Sequence, residues 1–279
     1  MIYQARIRRI PAALNSTRLF VEIAKRSFQR QISYRTAALA GLATNFFFGM
    51  LRVMVLLALY GQRQEVAGIS VQGAVTFTGL TQAVIGFLSM FSWYELMNTI
   101  YSGDVANDLL KPVDFYEFWL ANDFGRAMAQ LVLRGLPMMV AYALIFGITT
   151  PQTAWQWTAL AAALFLAWLL SFSWRFIVNL AAFWIPNAAG IGRFVFALSW
   201  FLSGFMMPLR YFPDWFVRLS YLTPFPSTIN SVVEIYLGVL TPAGMVKALL
   251  VQVAWIVGLF AAGQLVLRTG MRKLVIQGG

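Results

Sequence analysis

The chain has 279 residues, of which 60% are hydrophobic and only 11% charged, with 21 Lys+Arg against 10 Asp+Glu. A soluble domain carries about 25% charged residues, so a soluble globular fold is excluded, and a mean hydropathy of +0.70 points to lipid. Cys and His are both absent, which removes disulfides, thiol nucleophiles and the common zinc arrangements.

The first 36 residues are basic and hold no apolar run ending in a small-residue cleavage site, so they read as a retained cytoplasmic segment and not as a signal peptide. Asn15-Ser16 offers a helix cap before TRLFVEIAKRSFQRQISYR. There Leu19, Phe20, Ile23, Phe28 and Ile32 recur at helical spacing, while Arg18, Lys25, Arg26 and Arg30 take the other face. This pattern predicts an amphipathic helix at the cytoplasmic interface, apolar face in lipid and cations near anionic headgroups. The plainer alternative is a basic tail that only sets topology.

A membrane span needs about 20 apolar residues, and six stretches qualify: 37–60, 71–94, 127–148, 155–180, 190–209 and 246–267. The first contains Arg52, eight residues before Tyr60, placed to snorkel to the outer interface. The third contains Arg134 near its middle, where a charge costs about 2.5–3.5 kcal/mol on insertion scales. Two readings of Arg134 stand: bonding to backbone carbonyls at a helix break such as Gly135-Leu136-Pro137, or facing a polar translocation path with an anionic cargo group. Glu95, at the cytoplasmic end of the second span, reads as an entrance or capping residue. Trp200 and Phe201 are candidates for a greasy lining of the path, with interfacial packing as the ordinary alternative.

Between the second and third spans lies SGDVANDLLKPVDF, inside a loop at 101–118. From residue 101 to 125 five acids (Asp104, Asp108, Asp114, Glu117, Asp123) face one base, Lys111. Ser102 or Asp104 is placed to cap a short helix through Leu110, and Pro112 ends it. Val105, Leu109 and Leu110 give that helix an apolar side. The residues alone leave a docking element and a plain solvated loop equally open.

Residues 210–242 form an outer loop with Pro213 at a helix start, a break at Thr223-Pro224, and a further segment from Pro226-Ser227. Thr241-Pro242 caps the last span. Helices this short cannot span; they can re-enter the outer leaflet if buried against protein.

Basic residues set orientation. With both termini inside, fifteen cations lie on the cytoplasmic side (Arg6, Arg8, Arg9, Arg18, Lys25, Arg26, Arg30, Arg35, Lys111, Arg126, Arg175, Arg193, Arg268, Arg272, Lys273), against Arg63, Arg210 and Arg218 outside. No G-x-x-x-x-G-K-[ST] stretch occurs, so the chain does not bind ATP by a P-loop.

Taken together, the length, the six spans and the basic N-terminal helix resemble the permease subunits of ABC type-2 exporters, an all-α integral membrane fold. SGDVANDLLKPVDF resembles the family's cytoplasmic coupling region, and SGFMMPLRYFPDWFVRLSYLTPFPSTI its Gly…Pro pattern after span five, here Gly204, Pro208, Pro213, Pro224 and Pro226. The wording IYSGDVANDLLKPVDF is closest to the viologen-exporter-like branch. The resemblance implies a bacterial inner-membrane, multi-pass permease without a catalytic site of its own. It pairs with a second permease copy or paralogue and with two cytoplasmic ABC ATPase subunits, which bind the ATP and Mg; no nucleic acid is involved. Residues Asp104, Val105, Asp108, Leu109, Leu110, Lys111 and Pro112 would form the ATPase contact, and the cargo would be hydrophobic or amphipathic (drug-like, lipid-like or glycan-linked). The competing class is a stand-alone secondary transporter or channel, which needs paired charges or broken half-helices within spans; the spans as drawn hold no acid and no convincing internal repeat. An intramembrane enzyme ranks last.

Overall fold

A backbone that crosses lipid must bond to itself, and the helix is the local way to do so. The computed structural model describes residues 12–185 and 188–273, and it is helical apart from one two-residue hairpin, Glu65–Val66 paired antiparallel with Ile69–Ser70. In chain order the helices are α1 (Ala12–Ile32), α2 (Arg35–Tyr60), α3 (Val71–Val84), α4 (Glu95–Ser102), α5 (Val105–Leu109), α6 (Phe115–Gln130), α7 (Leu136–Ile145), α8 (Ala154–Leu180), α9 (Ala189–Leu202), α10 (Asp214–Tyr221), α11 (Asn230–Tyr236) and α12 (Pro242–Met271). A π turn at Leu131–Gly135 joins α6 to α7. Short polar residues start several of them: Ser70, Asp114, Thr153 and Thr241 each accept a bond from a first-turn amide, and Pro242 follows Thr241.

Among the described residues, four helices are long and apolar enough to cross a membrane: Thr36–Tyr60, Phe115–Ile145, Ala154–Phe183 and Pro242–Met271. The expected second span, 71–94, is not one helix. α3 stops at Val84, residues 85–94 run as turns and irregular chain, and α4 resumes at Glu95. The break turns through Ser89, whose φ of +51° is left-handed, a conformation that costs a non-glycine residue about 1–3 kcal/mol. The helix at the expected fifth span is also short: α9 has 14 residues, about 21 Å at 1.5 Å per residue. The third runs from Phe115 and not from 127, so Glu117 and Asp123 are helical and the loop is shorter than drawn. Asp123 therefore puts an acid inside a span-length helix, contrary to the reading that the spans hold none.

Contacts sort the connections into two ends. One end gathers α1, α4, α5, residues 181–185 and the end of α12: Arg30 pairs with Glu95, Tyr101 bonds Ile185 O at 3.2 Å, and Gly270 sits against the Phe183 ring. The opposite end gathers the hairpin, residues 146–156 and the segment before α12, through Tyr60–Tyr211, Gln72–Phe146 and Gln156–Ile235 contacts. Exposed Lys25, Arg26, Lys111, Arg193, Arg268 and Lys273 all lie at the first end. Arg126 and Arg175, counted above as loop cations, lie instead on α6 and α8 and are withdrawn from solvent.

α1 begins at Ala12, so Asn15-Ser16 falls within the helix and does not cap it; Arg6, Arg8 and Arg9 lie outside the described residues. Its inner face is docked on α6 and not only on lipid. Ser27 Oγ donates to Asn122 O at 2.7 Å, Phe20 meets the Phe124 ring, and Ala24 is buried. Gly125 permits this approach: a Cβ there would overlap the Ala24 carbonyl. Replacing Gly125 with Val should therefore lift α1 off α6, at a cost of about 1–3 kcal/mol for overpacking. Limited trypsin digestion is expected to cut at Lys25, Arg26 or Arg30 faster in the variant while the spans stay protected; unchanged digestion would contradict the close packing.

Candidate functional site

The loop at 101–118 folds as a tight corner on the first end. α4 ends at Gly103, whose φ of +80° reverses the chain, and α5 follows at once. Neither Ser102 nor Asp104 caps α5: Ser102 Oγ donates to Asp104 Oδ2 at 2.6 Å, and the Asp104 carboxylate takes no amide of that helix. The apolar side is also turned differently from expectation. Val105 is 0% exposed, packed in a core of Leu96, Met97, Ile100 and Phe115, with Leu109 partly buried against it. A five-residue helix has no second turn with which to present two faces, so its one apolar face goes to its own protein. Leu110 is left outside at 83% exposure, the most exposed large hydrophobic among the described residues, with Lys111 and Pro112 exposed beside it.

Two contacts fix the corner to α6. Lys111 Nζ pairs with Asp108 Oδ1 at 2.6 Å and lies 3.7 Å from the Phe118 ring centre. Asp114 Oδ1 accepts from Tyr116 N and Glu117 N, capping α6 where Pro112 has ended α5. Tyr116, buried, carries the connection on to Ser173 of α8 at 3.3 Å.

Deeper along α6 lies a cluster that the sequence reading missed. Asp123 is 1% exposed and Arg175 of α8 is 0% exposed. The Arg175 guanidinium grips both Asp123 oxygens, at 3.1 and 3.0 Å, while Arg126 Nε donates to Oδ1 at 2.9 Å and Trp168 Nε1 to Oδ2 at 2.9 Å. Arg126 also reaches Gly86 O at 2.8 Å and Phe87 O at 3.3 Å, in the break after α3. Other side chains take three further carbonyls of that break: Ser171 Oγ donates to Leu88 O, Trp200 Nε1 to Met90 O, and Asn179 Nδ2 to Trp93 O. Trp200 is thus a positioning donor, whereas Phe201 points outward at 54% exposure.

The other singled-out residues are spread over the molecule. Glu95 stands in the first turn of α4 and pairs with Arg30 of α1 at 3.1 Å. Arg134 bonds a carbonyl, as one reading held, but across helices: its Nη2 donates to Ala37 O at 3.0 Å. Arg52 does not snorkel to the outer interface. It donates to Phe205 O and Met206 O and lies 4.8 Å from the Phe205 ring, sealing the chain after α9.

At the opposite end, Gly204 turns the chain with φ +75° beneath Asn230, whose Oδ1 accepts from Leu209 N. Pro213 precedes α10, and Pro224 precedes and Pro226 lies within a 3-10 turn, Phe225–Ser227, so the segment expected to begin at Pro226 begins as a helix only at Asn230. All seven residues of α11 are buried, and Gln156 of α8 donates to Ile235 O and Tyr236 O. Arg210 pairs with Glu234 at 2.6 Å above a cavity of about 470 Å³ lined by Tyr221, Ser231 and Lys247. Burial, reinforced by the hydrogen bond to Tyr60, pushes the Tyr211 hydroxyl well above the usual phenol range, so it acts there as a neutral partner.

Against known proteins, the family described as ABC-2 family transporter protein matches residues 46–278. The chain belongs to the ABC-2 transporter family. No curated protein and no solved structure matched it. As an ABC-2 protein it is a multi-pass membrane component of an ABC transporter, a permease that in general associates with an ABC ATPase. In this ABC-2 permease the corner at 103–114 leads directly into α6, the helix that carries Asp123 and Arg126.

Asp123 is the counter-charge that both withdrawn arginines share, and breaking such a pair costs about 3–5 kcal/mol. Asp123→Asn should lower the thermal midpoint in detergent sharply, and adding Arg175→Met should recover much of the loss. Equal midpoints for Asp123→Asn and wild type would show that the cluster carries no stability.

Proposed function

We propose that this ABC-2 permease is the transmembrane subunit of an ATP-driven exporter in the bacterial inner membrane, with both termini cytoplasmic. It pairs with a second permease copy or paralogue and docks two cytoplasmic ATPase subunits, which hold ATP and Mg. The cargo class that fits its walls is hydrophobic or amphipathic, consistent with the narrower resemblance to viologen-exporter-like permeases. The observation that carries this reading is the exposed Leu110-Lys111-Pro112 tip on the cation-rich end, held on a socket of Val105, Leu109, Asp108 and the Asp114 cap.

In this reading Val105 and Asp108 shape the corner, and Leu110 enters the ATPase groove with Asp104 and Lys111 at the rim. Nucleotide favours one permease state only through a difference in affinity for the two states, and a rigid corner transmits that difference to α6. Outward movement then involves the α9 region and the Gly204-to-Pro226 segment, with Glu95, Arg134, Trp200 and Phe201 near the path. A stand-alone secondary transporter would need a coupling acid free to titrate. Asp123, the buried acid within a span-length helix, is already engaged by two arginines, which weighs against it.

Full burial of a leucine is worth about 1.5–3 kcal/mol, so Leu110→Ser should weaken ATPase binding by about tenfold or more. Val105→Ser should instead lower the permease's own thermal stability. Co-purification of the partner ATPase, with membrane insertion measured in parallel, separates the two; a Leu110→Ser permease that retains ATPase as wild type does would sink the docking assignment.

A further inference from the structure

Pro137 has no N–H for the carbonyl four residues back and its ring collides with it. The chain responds with the π turn Leu131–Gly135, where Leu136 N bonds Leu131 O; such turns recur at functional sites. Gln130 and Arg134, at the start and within this turn, both line a cleft of about 160 Å³ whose other walls include Asn45, Ser89 and Ser92. Gly41 of α2 makes room for the guanidinium, since a Cβ there would overlap it.

Both groups are held but incompletely bonded. Arg134 spends Nη2 on Ala37 O, and its Nε is buried without an acceptor. Gln130 Nε2 donates to Gln31 Oε1 at 3.2 Å, and its own Oε1 is buried without a donor. Ser89, on the same wall, is the left-handed residue of the break. An unpaired cationic donor and an unpaired acceptor on residues lining one cleft match an oxyanion that also carries a hydrogen donor. The volume is below the roughly 300–1,000 Å³ of sites for drug-sized ligands, so it fits a headgroup and not a whole cargo. Depth agrees: Gln31 closes amphipathic α1 and Ala37 lies in the first turn of α2, at the end where Arg26 and Arg30 are exposed.

We propose that this cleft is a binding site for the phosphate of an anionic membrane lipid whose headgroup carries a hydroxyl, with Arg134 on the phosphate and Gln130 Oε1 on the hydroxyl. The assignment does not depend on the transport reading.

The test is native mass spectrometry of the full-length protein, titrated with dioleoyl-phosphatidylglycerol or dioleoyl-phosphatidylcholine, with thermal midpoints recorded for every variant. Wild type should retain phosphatidylglycerol over phosphatidylcholine by about tenfold, the scale of one charge-assisted contact. Arg134→Gln should remove the preference. So should Gly41→Ala, which keeps the charge but displaces the guanidinium and leaves the fold standing, because the displaced group is the far end of a flexible side chain. Arg26→Gln, an exposed cation of α1, should keep it. Free glycerol 3-phosphate at equal concentration should not displace the lipid. Equal retention of the two lipids by wild type, a preference that survives Arg134→Gln, a loss as large in Arg26→Gln, or displacement by glycerol 3-phosphate would each overturn the assignment.

Discussion

A helix that stops inside hydrocarbon leaves carbonyls that water cannot reach, and each must find a donor within the protein. The break at residues 85–94 is where this constraint bears hardest on the ABC-2 permease. Gly86, Phe87, Leu88, Met90 and Trp93 carbonyls are met by Arg126, Ser171, Trp200 and Asn179, from three different helices. Arg126 can stand there only because Asp123 neutralises it, and Asp123 only because Arg175 and Trp168 complete its bonds. One positive charge remains over. It is spread on carbonyl oxygens, including Ser171 O, and on the Trp93 ring 5.1 Å from the Arg175 guanidinium.

The same device recurs at three other places. Arg52 seals the carbonyls after α9, Gln156 those at the end of α11, and Gln252 donates to Ala163 O and Ser227 O beside the 3-10 turn. Polar side chains from neighbouring helices therefore meet backbone carbonyls at each of these places. This explains why so few charges in an 11% charged chain are free for loops, and why arginines within span-length helices are not by themselves markers of a cargo path. It also links the exterior corner to the interior through one helix: Asp114 caps α6, Phe118 lies near its start, and Asp123 and Arg126 lie further in.

Much of this was legible in the sequence. Composition placed the chain in lipid, the cation bias picked out one end, and Thr241-Pro242 marked the start of α12. The break was not legible, because 71–94 is uniformly uncharged and contains no proline. Its cause lies elsewhere in the chain, in donors at 126, 171, 179 and 200. Asp123 and Arg175 are 52 residues apart, and local charge counting assigned both to loops. An acid three residues before an arginine, in a segment already suspected to be helical, was the available signal. Val105 was read as outward because a single helical turn gives no period from which to choose a face.

The break between α3 and α4 is open to direct measurement. Secondary ¹³Cα and ¹³Cβ chemical shifts of residues 71–102, from solid-state NMR of the protein in bilayers, report backbone conformation residue by residue. Helical shifts are expected through Val84 and again from Glu95, with non-helical values between them and Ser89 in the left-handed region. Uninterrupted helical shifts from 71 to 102 would contradict the broken span, and with it the role given to Arg126 and its partners.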